Sequence, residues 1–354
     1  MEAAVAEVPA FSGAAIVIYD DQPVFQYAKG VANQETGEPV TLKTRFNIGS
    51  SGKFLTMLAI AKLRDAGELK LDDSIVQYIP EFSAETSDKL TVRHLLSHKT
   101  TFDEILRLDE SVLVSAKNNH AFFQIIFNNG FSAEPHAEHQ YINTNFIVLG
   151  EIIERISGTS YEAHIREAIL APAGMDGFQF ARAEDPDAPG NALGYLAMNL
   201  ETWFNTPGSG ASDKVEDYVH HPRKKRPNRM GAAAGGSFAT VSDYLQLVRA
   251  LSSETVISKE TLDEFCAVDS IYRRIEANHG EPTITSGYGM GCGIRIHDGI
   301  RQIGHDGGGP GVEAQFDYFP ELNAAVIVLT NHDSLASPVA GKLQAIVREE
   351  RSTQ

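Results

Sequence analysis

Apolar residues are concentrated in short runs near both ends of the chain, and turn residues separate these runs. Such runs, rich in β-branched and aromatic residues and bounded by Gly, Asp or Pro, predict β-strands. The predicted strands are Ala14–Tyr19, Val24–Ala28, Met290–Ile296, Ile300–Ile303, Val312–Tyr318 and Ala324–Leu329. Both chain ends are therefore expected to supply strands.

The stretch between these strands has the spacing of helices. Apolar residues that recur every three or four positions predict one buried helical face, and a glycine after such a run predicts the helix end. The predicted helices are Ser50–Ala66, which Gly67 ends, Thr91–Ser97, Thr144–Ser157 and Ser242–Leu251.

Strands at both ends with helices between them predict an α/β (α+β) fold with one antiparallel sheet flanked by helices. Residues 1–66 and 231–354 would form the sheet domain, and residues 67–230 a mostly helical insertion beside it. Two parts that meet in this way leave a cleft, where small-molecule sites tend to lie. The basic run at 220–229 favours a surface loop.

The charge of the chain narrows its range of partners. Its 354 residues include 30 Lys+Arg and 47 Asp+Glu, a net charge of −17. Such an acidic surface repels phosphate backbones, so we expect no nucleic-acid partner.

No apolar run reaches the ~18 residues that a membrane helix needs. The first residues lack the basic and apolar regions of a signal peptide, so we expect a cytoplasmic protein unless a leader was removed.

Two cysteines, Cys266 and Cys292, are the only thiols. Their separation matches no zinc-binding pattern. A single disulfide is one interpretation, but two separate thiols are the favoured one. We expect no metal site from this pair.

Ser50 and Lys53 are the first candidates for chemistry. A spacing of three places both side chains on one face of a helix. The residues after Lys53 are almost all apolar, which predicts a partly desolvated lysine with a lowered pKa. Such a lysine can take the proton of a nearby serine hydroxyl. The alternative is a capping serine with a surface lysine.

Two further motifs carry candidate side chains. Tyr141 and Asn143 are two apart, so in an extended segment they point to the same side. The phenol could act as acid or base and the amide could donate to a carbonyl; the alternative is a buried tyrosine with a capping asparagine. The glycine-rich segment Gly304–Gly311 could offer backbone N–H groups to an oxyanion, or be a simple turn between strands.

The order Ser50-x-x-Lys53, Tyr141-x-Asn143 and His305-x-Gly307 resembles the three motifs of the serine β-lactamase and penicillin-binding-protein superfamily. It is most similar to the class C β-lactamase-related branch, which includes family VIII esterases and D-aminopeptidases. Flanking segments in the same order also resemble that branch: Phe46–Gly49, Thr91–His98, Pro172–Met175, Ala234–Ser237 and Tyr288–Gly291. The resemblance spans roughly residues 12 to 331 and implies a β-lactamase-like fold.

The resemblance also implies roles for single residues. Ser50 would be the nucleophile that forms an acyl-enzyme, and Lys53 and Tyr141 would share the proton transfers. The backbone N–H groups of Ser50 and Gly308 would hold the oxyanion, and Asn143 would bind the acyl side of the substrate. His305 and Gly307 would line the substrate site. No metal or organic cofactor is required, and the expected partner is a small ester or amide.

One departure from the family bears on the substrate. Many members have Lys-Thr-Gly where this chain has His305-Asp306-Gly307. A histidine is only partly charged at neutral pH, and Asp306 would repel a carboxylate if it faces the site. Neutral esters, or substrates with a free amine, are therefore favoured over anionic β-lactams.

Two other classes of function stay open at this stage. An acyltransferase would pass the acyl group to an alcohol or an amine, and a binding protein could use the same scaffold without catalysis. The sequence does not separate water from an alcohol as the acceptor, and it leaves the oligomeric state unknown.

Overall fold

A nine-stranded antiparallel sheet runs through the computed structural model, which describes residues 1–82, 89–108, 110–113, 115–181, 188–197, 212–220, 232–275 and 283–352. The strand order is β2-β1-β15-β14-β12-β11-β10-β9, and β13 pairs with β14 beside this path. These strands are β1 (Gly13–Tyr19), β2 (Gln22–Lys29), β9 (Ser270–Ile275), β10 (Ile284–Tyr288), β11 (Gly293–His297), β12 (Ile300–Gly304), β13 (Gly307–Gly309), β14 (Val312–Phe319) and β15 (Ala324–Thr330). Two-stranded pairs join β3 (Val31–Asn33) to β4 (Glu38–Pro39), β5 (Phe46–Asn47) to β8 (Phe238–Ala239), and β6 (Tyr195–Leu196) to β7 (Val219–His220).

The first and last strands of the chain lie side by side in the sheet. Ala14 on β1 pairs with Leu329 on β15, and Ile16 pairs with Ile327. β15 is buried along its whole length, because helices cover both faces of the sheet. The predicted mixed fold, with an antiparallel sheet built from both chain ends, is confirmed.

Helices pack on both faces of the sheet. The described α-helices are α1 (Glu2–Ala6), α2 (Lys53–Asp65), α3 (Val92–Leu96), α4 (Glu110–Leu113), α5 (Asn119–Asn128), α6 (Asn143–Ser157), α7 (Tyr161–Ile165), α8 (Ala171–Ala173), α9 (Val241–Ser252), α10 (Lys259–Phe265) and α11 (Ala336–Ser352). The larger apolar core joins α2, α6 and α9 to one face, and a smaller core joins α1 and α11 to the other. In the part of the chain described, no helix has the length and apolarity to cross a bilayer.

The helix that carries Ser50 and Lys53 begins differently from its prediction. Gly49–Gly52 form a 3-10 turn, and the α-helix proper starts at Lys53. It ends just before Gly67, whose φ of +77° lies in the left-handed region that glycine adopts without strain. The tight first turn presents Ser50 at the tip of a helix whose body is buried in the core.

Two other parts of the prediction differ from the structure. The strand expected over Met290–Ile296 begins only at Gly293, because a tight turn in which Gly289 N–H donates to the carbonyl of Cys292 precedes it. The strand β10, with Thr285 and Ser286 in its middle, lacked the apolar signal that the prediction needed.

The interpretation of the cysteines as two separate thiols was wrong. Cys266 and Cys292 form a disulfide, with their Cα atoms 5.3 Å apart. Cys266 follows α10 and Cys292 precedes β11, so the bond joins two segments that only the folded chain brings together. Sequence spacing contains no information about this contact.

The described part of residues 67–230 contains α3 to α8 and the short strands β6 and β7. The boundaries proposed at 66/67 and 230/231 stay a prediction. Residues 221–229 of the basic run lie outside the described residues.

Candidate active site

A cavity of about 650 Å³ opens where the start of α2 meets the β13 end of the sheet. One end is formed by Ser50, Tyr141 and Gly308, and the other by Arg295, Gln302 and Asp317. His305, Asp306 and Gly307 lie along it as well. Of the predicted site residues, Lys53 and Asn143 do not line this cavity but lie directly behind Ser50, as their contacts show.

Ser50 is held by close backbone contacts on both sides of its turn. A Cβ at Gly307 would lie 1.8 Å from the carbonyl oxygen of Ile48 and 3.0 Å from the Ser50 nitrogen. A Cβ at Gly235 would lie 2.3 Å from the carbonyl oxygen of Gly49. Only glycine allows the main chains to approach this closely. This explains Gly307 in the His305-x-Gly307 motif and Gly235 in the Ala234–Ser237 segment.

Lys53 is completely buried, and its ammonium group lies among neutral acceptors. Its Nζ donates to Ser50 Oγ at 3.0 Å, to Asn143 Oδ1 at 2.7 Å and to the Ala234 carbonyl oxygen at 2.6 Å. These three contacts match the three donors of an ammonium group. Burial lowers the pKa of Lys53 to about 7, and the negative charge of Glu104 opposes part of that shift.

Tyr141 stands beside this lysine at the cavity wall. The Nζ of Lys53 lies 5.0 Å from the centre of its ring. The residue is 43% exposed, and that surface faces the cavity that it lines. Burial of the phenol nevertheless raises the pKa of Tyr141, while a hydrogen bond with the Ser50 side chain lowers it in part. The phenol therefore keeps its proton at neutral pH.

Asn143 begins α6 and is held by a carboxylate that the sequence analysis missed. Glu104 Oε2 accepts from the backbone N–H of Asn143 at 2.8 Å and from its Nδ2 at 3.2 Å. The amide is thereby oriented with Oδ1 toward Lys53. Glu104 lies 39 residues away from Asn143 in the chain, and no motif marks it.

His305 is buried and hydrogen-bonded on both ring nitrogens. Its Nε2 lies 3.0 Å from Tyr288 Oη, and its Nδ1 lies 2.7 Å from the Asp306 carbonyl oxygen. Burial and the charge of Lys53 lower the pKa of His305 to about 3. The position occupied by lysine in many family members is therefore neutral here.

Asp306 does face the cavity, but it does not act as an isolated charge. Its Oδ2 lies 2.9 Å from Arg295 Nη2, and the two side chains are 43% and 42% exposed. Arg295 is also 4.0 Å from the buried Asp317, which accepts hydrogen bonds from Gln302 and Gln344. The predicted repulsion from Asp306 is thus partly compensated by Arg295.

Gly308 is exposed in β13, and a Cβ at this position would meet no atom within 4 Å. Its neighbour Gly307 packs against the turn that holds Ser50. The main chain at Gly308 thus reaches open cavity space directly beside Ser50, where a reacting carbonyl would have to lie.

A group with metal-binding residue types lies apart from this cavity. His120, Glu151 and Glu154 place one ligand atom each within 4.8 Å of one another. Arg155 already pairs with Glu151 at 2.7 Å, and Glu154 accepts from the Tyr161 N–H. This charge pairing accounts for the group without an ion.

The fold and the cluster around Ser50 define the chain as a serine hydrolase. Residues 1–349 match the family described as Beta-lactamase, and the chain belongs to that family. The resemblance inferred from the motifs is confirmed.

Curated and solved relatives agree with this assignment. Penicillin-binding protein 4 of Amycolatopsis lactamdurans is 26% identical over 90% of this chain and 80% of its own. The D-aminopeptidase of Brucella anthropi is 28% identical over 94% of this chain and 58% of its own. The octameric penicillin-binding protein homologue of Pyrococcus abyssi superposes with a TM-score of 0.77 at 26% identity, covering 98% of this chain and 76% of its own.

Proposed function

We propose that this protein hydrolyses small esters or amides through an acyl-enzyme on Ser50. The observation that carries the proposal is the fully buried Lys53 Nζ, 3.0 Å from Ser50 Oγ and surrounded by neutral acceptors. A serine hydroxyl is a weak nucleophile until a neighbouring base takes its proton. Lys53 is placed to be that base.

The first step follows from the two shifted pKa values. With a pKa of about 7, a large fraction of Lys53 is uncharged near neutral pH and can accept a proton. Burial raises the pKa of Tyr141, so the phenol begins as a proton donor. The Ser50 oxygen bonds to the substrate carbonyl carbon while its proton passes to Lys53.

The tetrahedral intermediate carries a negative oxygen that needs donors. The backbone N–H groups of Ser50 and Gly308 are the proposed pair, since Gly307 packs directly against the Ser50 turn. Asn143 has one Nδ2 hydrogen beyond the one donated to Glu104, and we assign it to the acyl side of the substrate.

Collapse of the intermediate breaks the bond to the leaving group. Tyr141 gives its proton to the leaving oxygen or nitrogen and regains one from Lys53, so the proton of Ser50 ends on the leaving group. Water then attacks the acyl-enzyme, and the same two groups take its proton and return one to Ser50. The products are a carboxylic acid and an alcohol or amine, and these steps call on no cofactor.

Neutral or amine-bearing substrates are the proposed class. His305 is uncharged and Arg295 is engaged by Asp306, so neither of these two residues offers a free charge to a carboxylate. Arg273, which is exposed on β9, is the other arginine that lines the cavity. One relative in the family is a D-aminopeptidase, which is consistent with this direction.

A rate panel with a matched pair of variants tests the proposal. The substrates are p-nitrophenyl butyrate, a chromogenic cephalosporin and D-alanine p-nitroanilide. Ser50→Ala should lose at least about 10⁴-fold in kcat. Ser51→Ala is the control, because Ser51 is buried against the Tyr244 hydroxyl at 2.6 Å, away from the cavity.

Each outcome has a separate meaning. Ester or anilide turnover that disappears only in Ser50→Ala, with a butyryl adduct on the wild type by mass spectrometry, would support the acyl-enzyme. Undiminished turnover in Ser50→Ala would refute it. Dominant cephalosporin turnover would overturn the substrate class, and product formed mainly with an added alcohol would indicate acyl transfer.

A further inference from the structure

His98 lies directly behind Tyr141 and takes no part in the steps above. It follows α3 and is completely buried. Its φ of +54° lies in the left-handed region, which is uncommon for a residue other than glycine or asparagine. Such a conformation costs about 1 kcal/mol or more, so other contacts must favour it.

The main chain and the side chain of His98 together hold the residues on both sides of Tyr141. The backbone N–H of Gln140 donates to the His98 carbonyl oxygen at 2.8 Å. The backbone N–H of Ile142 donates to His98 Nδ1 at 3.1 Å. Tyr141 is therefore anchored one residue before and one residue after itself by a single partner.

The imidazole ring also packs against the phenol. The ring centres of His98 and Tyr141 are 4.4 Å apart with an interplanar angle of 35°. Phe146 on α6 lies 5.1 Å from the same imidazole. The ring of Tyr141 thus packs against the His98 imidazole, which in turn packs against Phe146 of α6.

The hydrogen bonds define which nitrogen of His98 carries the proton. An amide N–H can only donate, so Nδ1 must be the unprotonated nitrogen. Asn145 agrees, because its Oδ1 accepts from Thr100 and its Nδ2 lies 3.3 Å from Nδ1. The protonated Nε2 is buried and has no hydrogen-bond partner among the described residues.

A neutral ring keeps this acceptor available across the working pH range. Burial and the nearby charge of Lys53 hold the pKa of His98 well below its usual value. A protonated ring would lose its bond to Ile142 and place a second cation near Lys53.

We propose that His98 is a positioning residue that sets the place of the Tyr141 hydroxyl through the main chain at 140 and 142 and through ring contact. The inference rests on the proposed function, in which Tyr141 protonates the leaving group. His98 touches neither the substrate nor the reacting atoms in this scheme, so its effect must pass through Tyr141.

Two variants that both tolerate the left-handed backbone form the test. In His98→Asn the side-chain oxygen can still accept from the Ile142 N–H, whereas His98→Gly has no acceptor. The substrates are ethyl butyrate and p-nitrophenyl butyrate, which share the acyl group. Ethoxide needs a proton to leave, while p-nitrophenolate leaves without one.

We expect His98→Gly to lower kcat/KM for ethyl butyrate by about 10- to 100-fold, because kcat/KM reports the acylation step, in which the leaving group departs. The loss in kcat/KM on p-nitrophenyl butyrate should be much smaller, and His98→Asn should recover most of the activity on ethyl butyrate. Tyr141→Phe should show the same dependence on the leaving group. In the Tyr141→Phe background, His98→Gly should have almost no further effect.

Equal losses on both esters, or full additivity with Tyr141→Phe, would overturn the inference, because either result indicates a general structural effect. If His98→Gly does not fold by circular dichroism, His98→Ser takes its place in the same cycle. Ser50→Ala separates the two claims. Retained turnover in Ser50→Ala refutes the proposed function, whereas its loss together with a silent His98→Gly refutes only the positioning role.

Discussion

The two ends of the cavity hold charge in opposite ways. At the Ser50 end, one lysine is surrounded by neutral acceptors, and burial lowers its pKa to about 7. At the far end, the guanidinium of Arg295 lies beside the carboxylates of Asp306 and Asp317. A buried lysine without a bonded counter-ion can release its proton near neutral pH, whereas an arginine stays charged.

This difference separates a region that can transfer protons from a region that can only form ion pairs. The lysine end can exchange a proton with Ser50 because neither form of Lys53 is strongly favoured. The guanidinium of Arg295 stays protonated, so it can pair with neighbouring carboxylates but cannot act as a base. The following predictions test that division, beginning with the largest expected effect.

Removing the base at the Ser50 end should have the largest effect. Lys53→Met keeps the length of the side chain and removes the ionisable group, so kcat on p-nitrophenyl butyrate should fall by about 10²- to 10⁴-fold. Lys62→Met, on the same helix and bonded to the Val256 carbonyl, is the control and should stay close to wild type. Steady-state kinetics on both variants checks this, and near-normal kcat in Lys53→Met would remove lysine from the mechanism.

Removing the cation at the far end should affect stability more than rate. Arg295→Gln leaves Asp317 without its nearest cation, and we expect a cost of about 1–3 kcal/mol, below the usual range because Arg295 is partly exposed. Burial and the charge of Asp306 raise the pKa of Asp317 to about 7, and losing Arg295 raises it further.

The pH dependence of that cost has a definite sign. A carboxyl whose pKa is raised in the folded state binds its proton more tightly there, so the stability it contributes is lost as pH rises through about 7. The Tm of Arg295→Gln should therefore fall further below wild type at pH 8 than at pH 5.5. Arg273→Gln, which removes an exposed arginine from the same cavity, is the comparison. A deficit independent of pH would contradict the pairing argument.

The smallest effect is expected from Glu104, whose charge reaches Lys53. Because the charge of Glu104 raises the pKa of Lys53, Glu104→Gln should lower that pKa. The rate depends on uncharged Lys53, so the acid limb of kcat/KM should move to lower pH. Asp103→Asn removes an equal charge from the exposed neighbouring residue and should leave the limb in place. A pH–rate profile of kcat/KM measures the position of this limb, and a shift to higher pH in Glu104→Gln would refute the electrostatic role of Glu104.

Local sequence predicted more of the fold than of the site's environment. The starts and ends of the four predicted helices were within a few residues because capping and glycine signals are local, as with Thr91 before α3, whereas α5 and α11 were not predicted. The edge strand β9 and its neighbour β10 were missed because their polar residues lack an apolar alternation. The roles assigned to Ser50, Lys53 and Tyr141 stay predictions until variants are measured, although the folded chain does bring the three together.

Other features could not be predicted because their partners lie far apart in the chain. Glu104 contacts Asn143 across 39 residues, and His98 contacts Ile142 across 44. The bond between Cys266 and Cys292 spans 26 residues and was judged the less favoured interpretation. Each of these contacts depends on how α3, α6 and the sheet pack, and no residue type or spacing predicts it.

The sequence by itself determined which chemical groups this protein has and in what order they follow: a serine and a lysine three apart, a tyrosine two before an asparagine, and a glycine-rich strand. Local spacing decides this because helices and strands place such neighbours on common faces. Only the tertiary structure decided the state of those groups. Burial lowers the pKa of Lys53, against the opposing charge of Glu104, and the charge of Asp306 is paired by Arg295 from a neighbouring strand. Desolvation and ion pairing depend on distances through space, and those distances exist only once the chain has folded.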